Sequence, residues 1–551
     1  MPRDISVGRE AFGMTRANTV DAQRTLSRRH FIKSVGLAAF SLLTAKPISS
    51  WAKTRPRSNV LFIIADDLND SIKGMGGHSQ ACAPNIDRVI ARGTMFTNAH
   101  NNQPWCAPSR ASLWSGLYPS TSGYHGRGHW RRHPVLGKSV PVMEHFKNNG
   151  YKVYGTGKLF HNNHEDKTIY HEYKYDAEFG PWPWDGKRRR EHPDLTFMFE
   201  THYVRNLPRL HDAPHMQTFG PLSSIPRFAP DPDTGVPGFK GWYLDGKPFR
   251  YVSEDDRDLM PDELSTQWAT EVLSRRHDRP FFLGVGFNRP HVPMYAPKKY
   301  FDLFPLDAVE LPPYLSDDFR DCARALLNAD RKGWQNFRLL HAAGGEQMWK
   351  RWIQAYLANV AFVDDQIGEI LDALERSPYA DDTIIILTSD HGFHMGEKDW
   401  LFKNSLWEES TRVPLVVVAP GVSKPARRCD HPVSLIDLYP TLIDLCRLPQ
   451  NPNAGRNGYS LDGHGLRPFL EDPQSATWDG PEVALTMLGN QNRAQFSVRS
   501  RRWRYTLCNT GEEELYDHAS DPHEWTNLAA NLKFTEIKSR LKSQLQQLRK
   551  R

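Results

Sequence analysis

The 551-residue chain is 39% hydrophobic and contains no run of eighteen apolar residues, so it can build a large core but predicts no membrane-spanning helix. Its net charge is +6, yet residues 1–52 hold eight Lys/Arg against three Asp/Glu, which leaves only +1 for the remainder. That balance gives no ground for a nucleic-acid partner, although the local clusters Arg127–His133 and Lys187–Arg190 suit anions.

The N-terminus reads as a targeting segment. "SRRHFIK" (Ser27–Lys33) precedes the apolar "SVGLAAFSLLT" (Ser34–Thr44), and small residues follow at Ser50 and Ala52. The pattern resembles a twin-arginine export signal spanning residues 1–52, with cleavage expected after Ala52. It implies passage through the twin-arginine machinery, a periplasmic or secreted product and no stable membrane anchor. Six cysteines, at 82, 106, 322, 429, 446 and 508, are too few for a disulfide scaffold, and no CxxC spacing occurs. Export permits a bridge, with 429 and 446 nearest in sequence, but nothing sets the connectivity.

Short apolar runs then alternate with helical patterns, the signature of an α/β fold. Strands are predicted at 59–65, 152–155, 280–287, 383–389 and 414–420, and their unbroken apolar character predicts a sheet covered on both faces. A helix with one buried stripe is predicted over 355–377; its Asp364–Asp365 pair reads as solvated or capping rather than metal-binding. Residues 175–262, rich in Pro, Trp, Arg and His, read as a loop-rich insertion suited to substrate contacts. After the Gly/Pro-punctuated join at 458–473, antiparallel strands over 494–518 with a turn at Asn509–Gly511 and a terminal helix over 534–551 make a smaller α+β subdomain. The division is therefore 1–52 signal, 56–457 catalytic domain and 458–551 C-terminal subdomain.

Chemistry gathers just after the strands. The first ends in Asp66 and Asp67, the second runs into Lys158 and His161, the third into Arg289 and His291, and the fourth into Asp390 and His391. In open α/β sheets ligands bind at the carboxyl ends of strands, so these residues are expected on one rim. The carboxylates supply hard oxygens for Ca²⁺ or Mg²⁺, and the cations suit a tetrahedral anion. Asp66 and Asp67 can share an ion only if the strand has ended there, because neighbours in a strand face opposite ways. A metal and cations on one rim imply a phosphoryl or sulfuryl ester. Cys106 completes the set. Pro108 suits a first helical turn and Gly116 a helix stop, which puts the cysteine at a helix N-terminus where anions are favoured. A soft thiolate beside a hard-cation site is a mismatch.

"CAPSRASLWSG" resembles the C-x-P-S-R-x4-T-G signature of the type I, formylglycine-dependent sulfatases, with Ser115 where threonine is usual. "ADD" opens the resemblance, "GKLFH", "RPHVP", "SDHGFHMGE", "WLFKNSLWEESTRVPLVV" and "ELYDHASDPHEWTNLA" follow in order, and the iduronate-2-sulfatase-like branch is the most similar. The resemblance implies an alkaline-phosphatase-like fold, with a large mixed, mostly parallel sheet sandwiched by helices. It implies that a formylglycine-generating maturation enzyme converts Cys106 to formylglycine, whose hydrate is the nucleophile. Asp66, Asp67, Asp390 and His391, with the converted residue 106, would bind Ca²⁺ in preference to Mg²⁺; His391 stands where many sulfatases have asparagine. Arg110 and Lys158 would hold the nucleophile, His161 would help release sulfate, and His291 and Lys403 would contact the sulfate and the leaving oxygen. A sulfated carbohydrate, either polysaccharide or glycosaminoglycan-like, is the expected substrate. A phosphonate or phosphate ester hydrolase and a non-catalytic anion-binding protein are the alternatives.

Overall fold

The computed structural model describes residues 57–549 apart from 127, 162–163, 185–218, 225–240, 245–246, 330, 476 and 491–492. The predicted export signal, the Lys187–Arg190 cluster and most of the predicted insertion therefore lie outside the described residues. Nine strands form the central sheet: β1 (Asn59–Asp66), β2 (Thr94–His100), β3 (Lys152–Gly157), β4 (Glu172–Asp176), β5 (Phe281–Pro290), β6 (Thr383–Ser389), β7 (Arg412–Val418), β8 (Arg427–Cys429) and β9 (Val433–Ser434). Their order is β8-β2-β7-β6-β1-β5-β3-β4, with β9 also on β2. All pairings are parallel except the two made by β7, so one strand runs against the rest.

Alternation along the strands feeds two cores. Val60, Phe62 and Ile64 of β1 pack with Trp114 of helix α2 (Cys106–Ser115) and with Met143 and Phe146. Leu61 and Ile63 face the other way, toward Val89, Trp268 and Val360 of the helices that cover the opposite side. Those helices are α1 (Pro84–Arg92), α3 (Pro261–Ser274) and α4 (Lys332–Arg376), the last broken at Gly344–Gly345. Both faces are covered, which is why the strands read as continuous apolar runs. Asp364 of α4 is buried and caps another helix: its carboxylate accepts the N–H groups of Asn85 (3.0 Å) and Ile86 (2.7 Å) in the first turn of α1. The described part of the predicted insertion contains short strands at 182–183, 242–244 and 247–249, and 219–221 pairs with 294–296, so it is not loop throughout. All six cysteines are free, and no described helix is long and apolar enough to cross a membrane.

The C-terminal part is a four-stranded antiparallel sheet, β10 (Ala484–Leu488), β11 (Gln495–Arg499), β12 (Trp503–Leu507) and β13 (Glu513–Asp517), packed by helix α5 (Thr535–Arg549) through Leu541 and Leu545. A buried ionic network ties it to the loop between β6 and β7. Arg504 pairs with Glu408 and Glu524, Arg499 with Glu408 (3.2 Å), and His518 with Glu524 (2.9 Å). Removing one partner of such a network strands the others without compensation. Arg504→Ala is expected to cost about 3–5 kcal/mol, measured as a lower midpoint in urea unfolding.

Candidate active site

Strands β1, β2, β3, β5 and β6 point the same way, so their carboxyl ends open on one rim. β1 ends at Asp66, its register with β5 shifts between Ala65 and Asp66, and Asp67 lies in the left-handed region at φ 64°. The alternation is broken there, and both carboxylates reach one site. The Tyr356 hydroxyl fixes this turn by donating to the Asp67 carbonyl (2.8 Å) and accepting the Asn69 N–H (2.9 Å).

Helix α2 starts at Cys106, six residues beyond β2, and stops at Gly116, which takes a left-handed φ of 69°. The Cys106 Sγ is buried 3.1 Å from His391 Nε2, 3.3 Å from Lys403 Nζ and 3.4 Å from Asp66 Oδ1. Burial pushes the thiol up, but Lys158, Lys403 and His391 outweigh it and hold Cys106 well below the ordinary thiol range. Any anionic atom at this position meets the same stabilisation, helped by the helix N-terminus.

Asp66 pairs with Lys158 and Asp67 with Lys403 (2.7 Å). Burial and the Cys106 sulfur raise the Asp66 pKa, yet Lys158, His291 and Lys403 hold it below the ordinary carboxylate range. Asp390 accepts from Arg110 Nε at 2.8 Å, while burial pushes it up to about 6. His391 lies with Nδ1 3.2 Å from Asp67 Oδ1; burial opposes its charge, but Asp390 and Cys106 raise it to about 9. Burial lowers the His161 pKa against the pull of the neighbouring Cys106 sulfur, which favours the neutral imidazole. His291 Nδ1–H donates to the Val292 carbonyl (2.6 Å), which turns Nε2 toward Asp67 Oδ2 at 3.6 Å. Three buried atoms here make no hydrogen bond among the described residues: Asp67 Oδ2, Arg110 Nη2 and His161 Nδ1. Orphaned polar atoms of both signs around one point mark a ligand site.

Every residue expected at the site is therefore there except Arg289. Its guanidinium donates to the carbonyls of Tyr295 (3.2 Å), Phe179 (2.9 Å) and Gly180 (3.0 Å), and burial lowers its pKa. Three of its five N–H groups are spent on these carbonyls, which anchors the base of the insertion. Sequence reasoning missed three supports. Asp262 of α3 accepts the N–H groups of Asn288 and Arg289 (2.8 and 3.0 Å), and Phe179 packs against both the His291 ring and the Lys158 ammonium. Glu165 accepts the N–H groups of Leu159 (3.1 Å) and Phe160, which locks the turn between Lys158 and His161. Only its acidic type, four residues past His161, hinted at such a role.

Burial raises Glu165 from 4.5 to about 7. A carboxyl raised on folding binds more protons in the native state, so its contribution is fully present below pH 4.5 and is lost as pH rises through 7. Glu165→Gln is expected to flatten the stability–pH curve over that window, followed by urea melts at a series of pH values. Glu165→Ala should lower kcat about tenfold, because a loosened Lys158–His161 turn misplaces both groups.

Comparison with known proteins agrees with this geometry. Residues 58–448 match the sulfatase family, and residues 396–551 match the family described as N-sulphoglucosamine sulphohydrolase, C-terminal. The chain belongs to the sulfatase family. The sulfatase is 36% identical over 499 residues to a sulfatase of Formosa agariphila, covering 89% of this chain and 86% of that one. It is 29% identical over 462 residues to mouse iduronate 2-sulfatase, covering 75% of each. Among solved structures, one of a protein in complex with its substrate D-glucosamine-2-N,6-O-disulfate superposes with a TM-score of 0.61 at 18% identity, covering 90% of this chain and 98% of that one. A phosphonate monoester hydrolase from Silicibacter pomeroyi superposes with a TM-score of 0.63 at 20% identity, covering 90% and 95%. At these identities the two structures establish the shared fold. The enzyme is a sulfuric ester hydrolase with an alkaline-phosphatase-like sheet.

The donor set of the sulfatase fits a hard divalent cation. Ligating atoms of Asp66, Cys106, Asp390 and His391 lie within 4.8 Å of one another, as do those of Asp66, Asp67, Cys106 and His291. Three carboxylates in so small a volume, with Asp67 Oδ2 unpartnered, suit Ca²⁺ better than a thiolate-preferring ion.

Proposed function

We propose that this sulfatase removes sulfate from a sulfated carbohydrate using formylglycine made from Cys106 and a bound Ca²⁺. The observation that carries the reading is the convergence of Asp66, Asp67, Asp390, Arg110, Lys158 and Lys403 around the Cys106 Sγ beyond the ends of four strands. Asp66, Asp67 and Asp390, with His391 and residue 106, would hold Ca²⁺, which supplies Lewis-acid polarisation of the sulfuryl oxygens. The hydrated aldehyde supplies a hard oxygen nucleophile for sulfur, which removes the thiolate mismatch. Arg110 and Lys158 hold that oxygen in place. Lys403 neutralises charge on the sulfate, and His291, with Nε2 facing the site, gives its proton to the leaving alcohol oxygen. The neutral His161 accepts the proton of the remaining hydroxyl as sulfate departs. The sum is one ester and one water converted to one alcohol and one sulfate. Ligation by His391 requires loss of its proton, so Ca²⁺ affinity should rise with pH.

Maturation by a formylglycine-generating enzyme, twin-arginine export to the periplasm or beyond with cleavage after Ala52, and the division at 457/458 belong to the same proposal, supported by the sequence motifs. The substrate class is supported by the relatives and by the disulfated glucosamine bound in a structural neighbour. The test is sulfate and phosphate release from matched aryl esters, beside a panel of sulfated oligosaccharides, with peptide mass spectrometry at residue 106. Preferential sulfate release and an aldehyde at 106 are expected. A phosphate preference, or an active protein holding only cysteine at 106, would overturn the reading.

A further inference from the structure

A cleft of about 1010 Å³ opens beside the reaction centre. Its floor includes Trp105 and the Phe402–Asn404 stretch, the immediate neighbours of Cys106 and Lys403, and the Asn404 N–H donates to the Pro104 carbonyl at 3.1 Å. Its far wall comes from the C-terminal sheet through the β10–β11 connection and the turn after β12. The cleft therefore begins where the sulfate site ends.

Several buried polar atoms around it make no hydrogen bond among the described residues. Gln103 is 3% exposed, and its Oε1 has no hydrogen-bond partner. Both ring nitrogens of His125 and Nδ1 of His133 are also buried without a partner. Such groups cost free energy unless something binds them. Two arginines, Arg324 and Arg493, line the cleft along with one carboxylate, Glu512. Glu512 is occupied by the backbone N–H groups of Arg324 (2.8 Å) and Ala325 (3.1 Å) and by the Thr510 hydroxyl (2.7 Å). Trp105 is half-buried and presents a flat apolar surface next to them.

An unpaired acceptor, unpaired imidazoles, two arginines and a half-buried indole match one kind of ligand, a hydroxylated ring carrying a negative group. We propose that this cleft is a second subsite, in which Gln103, His125 and Trp105 hold the sugar next to the one being desulfated, while Arg324 and Arg493 bind an anionic substituent on it. The inference rests on the sulfated-carbohydrate reading above and narrows it to polyanionic oligosaccharides.

The test compares three disaccharides with the same scissile sulfate: one with a uronate neighbour, one with a sulfated neighbour and one with the uronate as its neutral methyl ester. The wild-type enzyme is expected to prefer an anionic over the neutral neighbour by roughly tenfold in kcat/KM, the size of one charge-assisted contact. In Arg324→Ala/Arg493→Ala that preference should shrink to about twofold or less, and Arg324→Lys should retain most of it. The uronate and sulfate arms show which anion is read. No preference in the wild type, or one untouched by the double substitution, would overturn the subsite. Absence of sulfate release from all three would instead overturn the carbohydrate reading, so the two failures are distinct.

Discussion

Cys106→Ala is expected to lower sulfate ester turnover by at least ~10⁴-fold, the scale on which loss of a covalent nucleophile falls. The side chain is buried at the start of α2, and Lys403, His391 and Asp66 all lie within 3.4 Å of its sulfur. A methyl group there leaves those charges facing each other but removes the side chain proposed to become the nucleophile. The fold should survive, because exchanging a small buried group for another costs about 1 kcal/mol. The check is kcat on an aryl sulfate beside a thermal melt. A folded variant that keeps more than about 1% of wild-type turnover would place the nucleophile elsewhere.

Asp390→Asn is expected to have the second largest effect, about 10²–10³-fold in kcat. This carboxylate is shared: one oxygen accepts from Arg110 Nε at 2.8 Å, and the other lies 3.0 Å from the His391 N–H and 3.4 Å from the Asp67 N–H. The amide keeps the shape but removes the charge that orients Arg110 and one hard oxygen of the cation site. Activity alone would not separate these losses. Ca²⁺ at a hundredfold excess over its Kd should stabilise the wild-type protein by about 2.7 kcal/mol, seen as a rise in Tm that Asp390→Asn lacks. An equal Ca²⁺-dependent rise in the variant would exclude Asp390 as a ligand.

Much of this site was legible because it follows strand ends. β1, β3, β5 and β6 are apolar enough to be found by pattern, and the residues that follow each are charged by type. β2 was missed, since "TMFTNAH" carries Thr, Asn and His into a buried strand. Only some of its polar atoms are satisfied by the protein: Asn98 Nδ2 donates to the Asp430 carbonyl (3.2 Å) and Asn98 Oδ1 sits 2.7 Å from His100 Nε2, whereas Thr94 Oγ1 and His100 Nδ1 make no hydrogen bond among the described residues. The same reason hid Tyr356, Asp262 and Glu165. Each works through a hydrogen bond to backbone, and a single sequence carries no mark of which distant N–H a side chain will meet. Arg289 shows the converse. Its charge made it look like an anion binder, but three of its five N–H groups go to backbone carbonyls.

The ionic network around Arg504 has a consequence for how this protein can be divided. Glu408 sits five residues after Lys403, its charge is answered by Arg499 and Arg504, and its N–H donates to Glu524 (2.9 Å). A chain cut after residue 457 would keep the acid and lose all of these partners, so the larger piece would not stand alone. The C-terminal sheet is better seen as the outer half of a clamp whose inner half carries Lys403. The second family match begins at residue 396, inside the β6–β7 loop and ahead of Lys403, not at the sheet itself. A graft of this tail between relatives would have to start there, taking one of the groups at the sulfate site along with it.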